Sequence, residues 1–264
     1  TLFVAGLELP SWTRLQAIYG PLDQPVVIGM DTCAHYRATV PFSQRMTASA
    51  GMFNTGTNAM KNYLQGNMPG IKGVWQVPWG KHRMPWQRLN HTAPRMELRN
   101  QTAVLPVVLV RDPLHWMQST CKTPYAARWK HAYKHCPSLV PNQRELQRWG
   151  AKAFPNNTIP MFVKFEKSLI IHYKSLIDFY NQFYEQYMDA TFPRLMVRFE
   201  DMLLQPTPVL EQIAECLGTA LPKRGVHHSV GSAKPHGSHT TWTGALIKTG
   251  DEERRVTQML PADL

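Results

Sequence analysis

One short segment restricts the fold of this chain more than any other. Residues 107–110 are four consecutive aliphatic residues, Val-Val-Leu-Val, and Arg111 follows them directly. A strand that is apolar on both faces must be covered on both, as a central strand of a parallel sheet is. Strands are therefore predicted at residues 104–110, which contain this segment, and at 26–29, 47–53, 74–77 and 194–199.

Helical patterns alternate with these strands. Helices are predicted at residues 57–64, 168–188 and 207–217, and Gly218 ends the last of them. This alternation predicts an α/β fold in three layers, with a mainly parallel central sheet flanked by helices. No repeat or low-complexity tract divides the chain, so residues 1–264 are predicted to form a single domain. Ligands of such sheets bind at the carboxyl ends of the strands.

The charge of the chain indicates an anionic partner. Its 264 residues include 29 Lys and Arg against 18 Asp and Glu, a formal net charge of +11. With 43% hydrophobic and 18% charged residues, the composition excludes a disordered polyelectrolyte. The basic residues are scattered and form no block typical of a nucleic-acid tail, so no nucleic acid is expected as a partner. A basic surface without a specific partner is the alternative.

The four cysteines form no Cys-x-x-Cys pair, so a zinc ribbon or a thioredoxin-like motif is not supported. Cys216 lies in an apolar helical pattern and is expected to be an ordinary buried core residue. Cys121 and Cys136 bracket a segment rich in His, Tyr and Lys that a disulfide bond could hold together.

Three glycosylation sequons favour the secretory pathway; they begin at Asn90, Asn100 and Asn156. A Golgi lumen is the predicted location, and the cytoplasm is the alternative. The chain begins at Thr1 without a signal-like segment, so a targeting sequence or membrane anchor, if the protein has one, is expected to lie outside it. Its longest nearly apolar run, residues 103–110, is far shorter than the about 20 residues of a bilayer span.

Residues 51–58, Gly-Met-Phe-Asn-Thr-Gly-Thr-Asn, have the glycine spacing of a phosphate-binding P-loop and directly precede a predicted helix. A nucleoside triphosphatase would continue with Lys and Ser or Thr, but this chain has Thr57 and Asn58. The loop is therefore suited to one phosphate bound through backbone amides and small hydroxyls, and poorly equipped for transfer from a triphosphate. A plain turn before a helix is the alternative.

Two further segments follow predicted strands and carry polar side chains. Arg111-Asp112-Pro113 follows the aliphatic strand, and Ser119 comes eight residues after Arg111, so a guanidinium and a hydroxyl could bind a second phosphate. Later, the segment 199–202, Phe-Glu-Asp-Met, leads into the helix that ends at Gly218.

In their order, these motifs resemble those of the sulfotransferases that use 3′-phosphoadenosine 5′-phosphosulfate (PAPS). That family has a P-K-S-G-T-T-W loop for the 5′-phosphate and sulfate, an R-N-P or R-D-P segment with a later Ser for the 3′-phosphate, and a Y-E-D-L segment. The resemblance covers residues 47–218. It implies a P-loop nucleotide-binding fold, PAPS as cosubstrate, adenosine 3′,5′-bisphosphate as product and no metal. The cofactor-binding residues that it implies are Asn54, Thr55, Gly56, Thr57, Asn58, Arg111 and Ser119.

The chain departs from this family at two places. Asn54 stands where the family has Lys or Arg, so another cation must act on the transferring group; Lys61 could reach back, or it could be a solvated helix lysine. The family's basic loop over the cofactor has no obvious counterpart, although residues 232–237 could serve or could be a flexible loop.

The predicted catalytic pair is Lys81 and His82, which follow the strand at 74–77. A histidine can deprotonate an alcohol near neutral pH, and a lysine can stabilise the charge that develops on the leaving phosphate oxygen. The family's K-T-H-x-P motif separates its Lys and His by one residue, whereas here they are adjacent. A surface loop packed on Trp79 and Trp86 is the alternative.

The sequence does not identify the acceptor, but the resemblance and the secretory signs favour a hydroxyl on a carbohydrate or glycoconjugate, which the surplus positive charge suggests is acidic. Aromatic and basic residues near the second motif could form an acceptor surface or an ordinary amphipathic helix: His115, Tyr125, Arg128, Trp129 and His135. The competing functions are a degenerate P-loop kinase or nucleoside triphosphatase, a non-catalytic binder of anionic polymers, and a catalytically inactive relative of the enzymes.

Overall fold

The computed structural model describes residues 3–4, 7–8, 10–90, 92–93, 100–130, 139–228, 231 and 241–251. Ten strands are found there: β1 (Phe3–Val4), β2 (Leu7–Glu8), β3 (Val27–Ile28), β4 (Met46–Gly51), β5 (Lys72–Val74), β6 (Val104–Val110), β7 (Ala127–Trp129), β8 (Met161–Lys164), β9 (Ile170–Tyr173) and β10 (Leu195–Arg198). Nine α-helices accompany them: α1 (Trp12–Tyr19), α2 (Cys33–Thr39), α3 (Thr57–Asn67), α4 (Pro113–Lys122), α5 (Gln143–Trp149), α6 (Leu176–Met188), α7 (Phe199–Leu204), α8 (Pro206–Leu217) and α9 (Trp242–Thr249).

The chain divides into two compact units. The first consists of Thr1–Arg111 and Gln186–Gly250, and the second of Asp112–Glu185 and Asp251–Leu264. Compact units of this kind occur within one domain as well as in two, so the single domain remains a prediction. No helix in the described ranges is both long and apolar enough to cross a membrane.

A five-stranded sheet forms the centre of the first unit, in the order β3-β10-β6-β4-β5. Neighbouring strands are parallel except at the edge, where β3 runs antiparallel to β10. Strand β6 lies in the middle and is buried over residues 104–109, as its aliphatic side chains on both faces require. The predicted α/β class, with a mostly parallel sheet flanked by helices, is confirmed.

Helices α2, α3 and α8 pack with this sheet in one hydrophobic core that includes Tyr36, Met60, Leu105 and Ile213. Helix α8 ends as predicted, because Gly218 adopts a left-handed conformation with φ of 72°. Such periodic helices can be recognised locally, since one face supplies all the buried residues.

The carboxyl end of α8 is held by what we call the α8 clamp: the disulfide bond Cys33–Cys216 together with Arg37 and Arg45. The disulfide joins residues 183 positions apart. Arg37 Nη1 donates to the Glu215 carbonyl (2.8 Å) and Arg45 Nη1 to the Leu217 carbonyl (2.9 Å). Both cations therefore meet the carbonyl groups at which the helix dipole is negative.

This disulfide corrects the expectation for Cys216, which is fully buried in the core but is not an ordinary free thiol. Helical periodicity cannot reveal a bond to a residue so distant in sequence. Cys121 is also disulfide-bonded, whereas Cys136, the partner expected for it, lies outside the described residues. Disulfide bonds are typical of oxidising, non-cytosolic environments.

The second unit contains a three-stranded antiparallel sheet in the order β7-β8-β9, with helices α4, α5 and most of α6. The predicted helix at 168–188 is wrong in its first part, because residues 170–173 form β9 and pair with β8. Helix α6 starts after Ser175, whose Oγ accepts the Asp178 N–H (3.1 Å). This Ser-x-x-Asp pattern is a start signal visible in the sequence.

Candidate functional site

The loop between β4 and α3 has a backbone that only particular residues allow. Gly51, Asn54 and Gly56 all have positive φ, of 146°, 65° and 89°. A Cβ on Gly51 would lie 2.7 Å from Thr55 Oγ1 and 2.9 Å from the Leu109 carbonyl oxygen. Glycine is therefore required at position 51, and an asparagine tolerates the left-handed conformation at position 54.

The loop ends at the amino end of α3, where backbone N–H groups have no partner within the helix. Gly56 occupies the N-cap position of α3 and has no side chain that could accept a hydrogen bond from these groups. Thr55 is fully buried, and its Oγ1 donates to the Met52 carbonyl (2.8 Å), so this hydroxyl stabilises the turn. The helix start is thus arranged as an anion site, with Thr57 and Asn58 in its first turn.

Lys81 brings a cation to this first turn. Its Nζ donates to Asn58 Oδ1 (2.7 Å), and its backbone carbonyl accepts the Gly51 N–H (2.8 Å). Burial and, secondarily, the charge of Lys61 lower the pKa of Lys81 to about 8. Two ammonium groups near one helix start favour a bound anion, which would relieve their repulsion.

His82 lies against the same loop. Its Nδ1 is 2.7 Å from the Gly51 carbonyl oxygen, and its ring centroid is 4.5 Å from that of Phe53. Because a carbonyl oxygen only accepts, Nδ1 carries the proton in this hydrogen bond, and Nε2 then has the lone pair. His82 is partly buried. This burial and, secondarily, the charge of Lys81 lower the pKa of His82 to about 3, so the imidazole is neutral at physiological pH.

Arg111 holds the loop from the carboxyl end of β6. Its Nη1 donates to the Asn54 carbonyl (2.8 Å), and its guanidinium carbon lies 5.1 Å from the centre of the Phe199 ring. Phe199 also packs under the loop, since a Cβ on Gly56 would lie 2.7 Å from its ring. Arg111 from the second motif and Phe199 from the third motif therefore both contact the predicted phosphate loop.

Asp201 lies in the first turn of α7, two residues after Phe199. Its carboxylate accepts two hydrogen bonds from the Arg198 guanidinium (both 2.7 Å) and one from the Val26 N–H (2.9 Å). Hydrogen bonds between a guanidinium and a carboxylate are among the stronger ones in proteins, so this contact fixes the start of α7. The role of Asp201 is structural, because it joins β10, α7 and the chain before β3.

Other predicted site residues lie in the second unit. Ser119 is on α4, whose first turn is capped by Asp112, and the candidate acceptor residue His115 on the same helix is buried. Arg128 and Trp129 belong to β7, and Tyr125 precedes that strand. His135 and residues 232–237 lie outside the described residues.

Trp75 is a residue of this site that the sequence analysis did not single out. It follows β5, its side chain is 48% exposed, and both Lys81 Nζ (4.3 Å) and Lys61 Nζ (5.5 Å) lie near its ring centre. Trp79, which was expected beneath His82, is fully buried and donates from Nε1 to the Tyr187 hydroxyl (3.2 Å). The strand was predicted at 74–77, which placed residue 75 inside it, but β5 ends at Val74, so no signal in the sequence indicated that Trp75 stands at a strand end.

Comparison of the chain with protein-family models finds no match, and comparison with curated proteins finds none either.

Proposed function

We propose that this protein is a PAPS-dependent sulfotransferase with a P-loop type of cofactor site. One observation carries the proposal: Lys81, His82, Arg111 and Phe199 all contact the β4–α3 loop or its two ends, although they come from three segments that are far apart in sequence. Each of the motifs that suggested the family supplies at least one contact to this loop.

In this proposal the anionic cofactor binds at the amino end of α3. The backbone amides of the helix start, with Thr55, Gly56, Thr57 and Asn58, hold the 5′-phosphate and the sulfate. Arg111 holds the 3′-phosphate with a planar fork that has five N–H donors, whereas Ser119, which the resemblance pairs with it, belongs to the second unit and stays a sequence-based prediction. Lys81 takes the place of the lysine that the family has at the position of Asn54, because its ammonium group lies on Asn58 in the first turn.

The reaction needs one proton transfer and one bond exchange. The acceptor oxygen forms a bond to sulfur while the bond from sulfur to the bridging phosphate oxygen breaks, and adenosine 3′,5′-bisphosphate leaves. The acceptor proton passes to His82 Nε2, since Nδ1 is held by Gly51. Lys81 stabilises the negative charge on the leaving oxygen. Burial is the larger cause that lowers the pKa of His82 and the Lys81 charge the smaller, so bound phosphates, which offset that charge, raise this pKa in part.

The loop favours this reaction over transfer from a triphosphate. Thr57 and Asn58 occupy the two positions at which a nucleoside triphosphatase has Lys and a magnesium-binding hydroxyl. The acceptor that fits best is a hydroxyl of a carbohydrate or glycoconjugate, because the chain has a disulfide bond typical of oxidising compartments and exposes Trp75 beside two lysines.

Isothermal titration calorimetry tests the cofactor assignment. We expect adenosine 3′,5′-bisphosphate to bind without metal, more tightly than adenosine 5′-monophosphate, and ATP with Mg²⁺ to bind weakly. Lys81→Ala should weaken the bisphosphate, whereas Lys72→Ala, an exposed lysine on β5, should not. Absence of bisphosphate binding at millimolar ligand would refute the proposal. Transfer of labelled sulfate from PAPS to acidic and neutral oligosaccharides would then identify the acceptor class.

A further inference from the structure

One of the three sequons has a geometry suited to modification. Asn100 lies just before the short 3-10 helix Gln101–Ala103 and is exposed. Its side-chain Oδ1 accepts two hydrogen bonds from Thr102, one from the backbone N–H (3.0 Å) and one from Oγ1 (2.7 Å). The hydroxyl of the sequon is therefore bonded directly to the carboxamide that would receive a sugar.

We propose that Asn100 is a site of N-linked glycosylation. The co-reactant is a lipid-linked oligosaccharide diphosphate. A bond forms between Asn100 Nδ2 and C1 of the first sugar, the bond from C1 to the diphosphate oxygen breaks, the lipid diphosphate leaves, and Nδ2 loses one proton to a base of the transferring enzyme. The two hydrogen bonds to Oδ1 draw electron density from the amide and make its N–H more acidic, which favours this proton loss.

These two hydrogen bonds span only three residues. Such local turns of Asn side chains form without help from tertiary packing, so the chain can adopt the same arrangement before it has folded. This matters because the modifying enzyme acts on accessible, extended or newly made chain.

The sequon at Asn156 differs in this respect, although Asn156 is exposed too. Its Thr158 hydroxyl donates to the Pro155 carbonyl (2.9 Å), and Asn156 itself has a left-handed backbone with φ of 54°. The hydroxyl of that sequon is thus bonded elsewhere. At Asn90 the middle residue, His91, lies outside the described residues.

The described residues around Asn100 leave space for a sugar. Asn100 lines an open surface pocket of about 290 Å³ together with Ser43, Gln44 and Lys72. It precedes the amino end of β6, whereas Arg111 follows the carboxyl end. Seven strand residues separate these ends, which corresponds to about 20 Å. A glycan here would therefore leave the β4–α3 loop open. This assignment goes beyond the proposed function and does not depend on it.

Site occupancy in the unaltered chain tests the proposal. The full chain is expressed behind a cleavable leader in a eukaryotic host, N-glycans are removed with a glycosidase that converts each occupied Asn to Asp, and peptide mass mapping measures the conversion. We expect conversion at Asn100, to a greater extent than at Asn156. An unconverted Asn100 would overturn the proposal, whether or not another sequon is occupied.

Two variants of Thr102 distinguish an effect of its hydroxyl group on glycosylation from an effect on folding. Thr102→Ala should abolish conversion at Asn100, and Thr102→Ser, which restores a hydroxyl, should retain it. Occupancy of Asn100 in Thr102→Ala equal to that of the unaltered chain would contradict the role of the hydroxyl. The measurement reads peptide mass alone, so it stands even if the protein transfers no sulfate.

Discussion

The β4–α3 loop and the α8 clamp are two regions of the first unit with opposite characters. At the loop, Lys81, His82 and Arg111 come from different segments and contact a turn with positive φ at Gly51, Asn54 and Gly56, beside the amino end of α3. In the clamp, Arg37 and Arg45 donate to backbone carbonyls of α8, which the disulfide also fixes. Similar cations thus stabilise a helix end in the clamp, whereas at the loop we propose that they bind the anionic cofactor.

The largest effect, a loss of unfolding free energy, is expected when the disulfide bond of the α8 clamp is removed. The double variant Cys33→Ala/Cys216→Ala opens a loop of 183 residues, and chain entropy predicts a loss of about 5 kcal/mol in unfolding free energy. Urea unfolding of the variant and of the unaltered protein measures this loss. Bisphosphate affinity of the folded fraction should be unchanged; a large loss of affinity with intact stability would reverse the assignment of the two regions.

Next in size is the loss of the base. His82→Ala should lower turnover by roughly 10²- to 10⁴-fold, because no group would take the acceptor proton, while bisphosphate affinity stays near its original value. Initial rates of sulfate transfer from PAPS measure the effect. His172→Ala, on β9 in the second unit, is the control. Full activity of His82→Ala would exclude His82 as the base.

Arg111→Ala should weaken bisphosphate binding by about 1.5–3 kcal/mol, the usual loss for a hydrogen bond to a charged group. The variant also removes the donor that holds the Asn54 carbonyl. Calorimetry measures the change, with Arg148→Ala on α5 as the control for a lost surface arginine. Equal affinities in the unaltered protein and in Arg111→Ala would place the 3′-phosphate elsewhere.

Gly51→Ala links stability to binding. The added Cβ meets Thr55 Oγ1 and the Leu109 carbonyl, and φ of 146° strains any residue with a side chain, so about 1–3 kcal/mol of stability should be lost. Bisphosphate affinity should fall in the same variant, because the turn moves. Gly231→Ala, whose added Cβ would lie within 4 Å of no other described residue beyond its chain neighbours, should change neither quantity in thermal unfolding or calorimetry. Unchanged affinity in Gly51→Ala would show that the turn geometry is not needed for binding.

The smallest effect is a pH dependence from Lys81. Its pKa of about 8 lies below the ordinary 10.5, so between these values the unfolded chain binds the extra proton and stability rises with pH. Below about 8 both states are protonated and this contribution is constant. Bisphosphate affinity should fall over the same rise in pH as the cation is lost. Lys81→Arg keeps its charge and should remove the fall in affinity, which a pH series of titrations would detect.

The central sheet was largely predictable because its signals are local. Strand β6 has the predicted bounds, and α3 and α8 start within one residue of their predicted positions. Strand β4 was predicted to reach residue 53 but ends at Gly51, where the turn begins. The error at residues 168–175 has a different origin: β9 is a strand only because β8 pairs with it, and periodicity within one segment cannot show that.

Within the candidate site, sequence motifs identified the loop, Arg111 and the Lys81-His82 pair, but not how they contact one another. Lys61 was considered as the replacement cation, yet the ammonium group on Asn58 belongs to Lys81, while Lys61 lies near Trp75. Which cation reaches the helix start depends on the path of the chain after β5, and side-chain type and spacing do not specify that path.

By itself, the sequence determined the features that short segments encode: a central strand apolar on both faces, a turn that requires glycine at positions 51 and 56, and a helix that ends at Gly218. These follow from steric limits and burial over a few residues. Only the tertiary structure decided that Cys33 bonds to Cys216, that Phe199 lies under Gly56, and that Lys81 meets Asn58. Such contacts join distant segments, so they exist only once the sheet has brought those segments together.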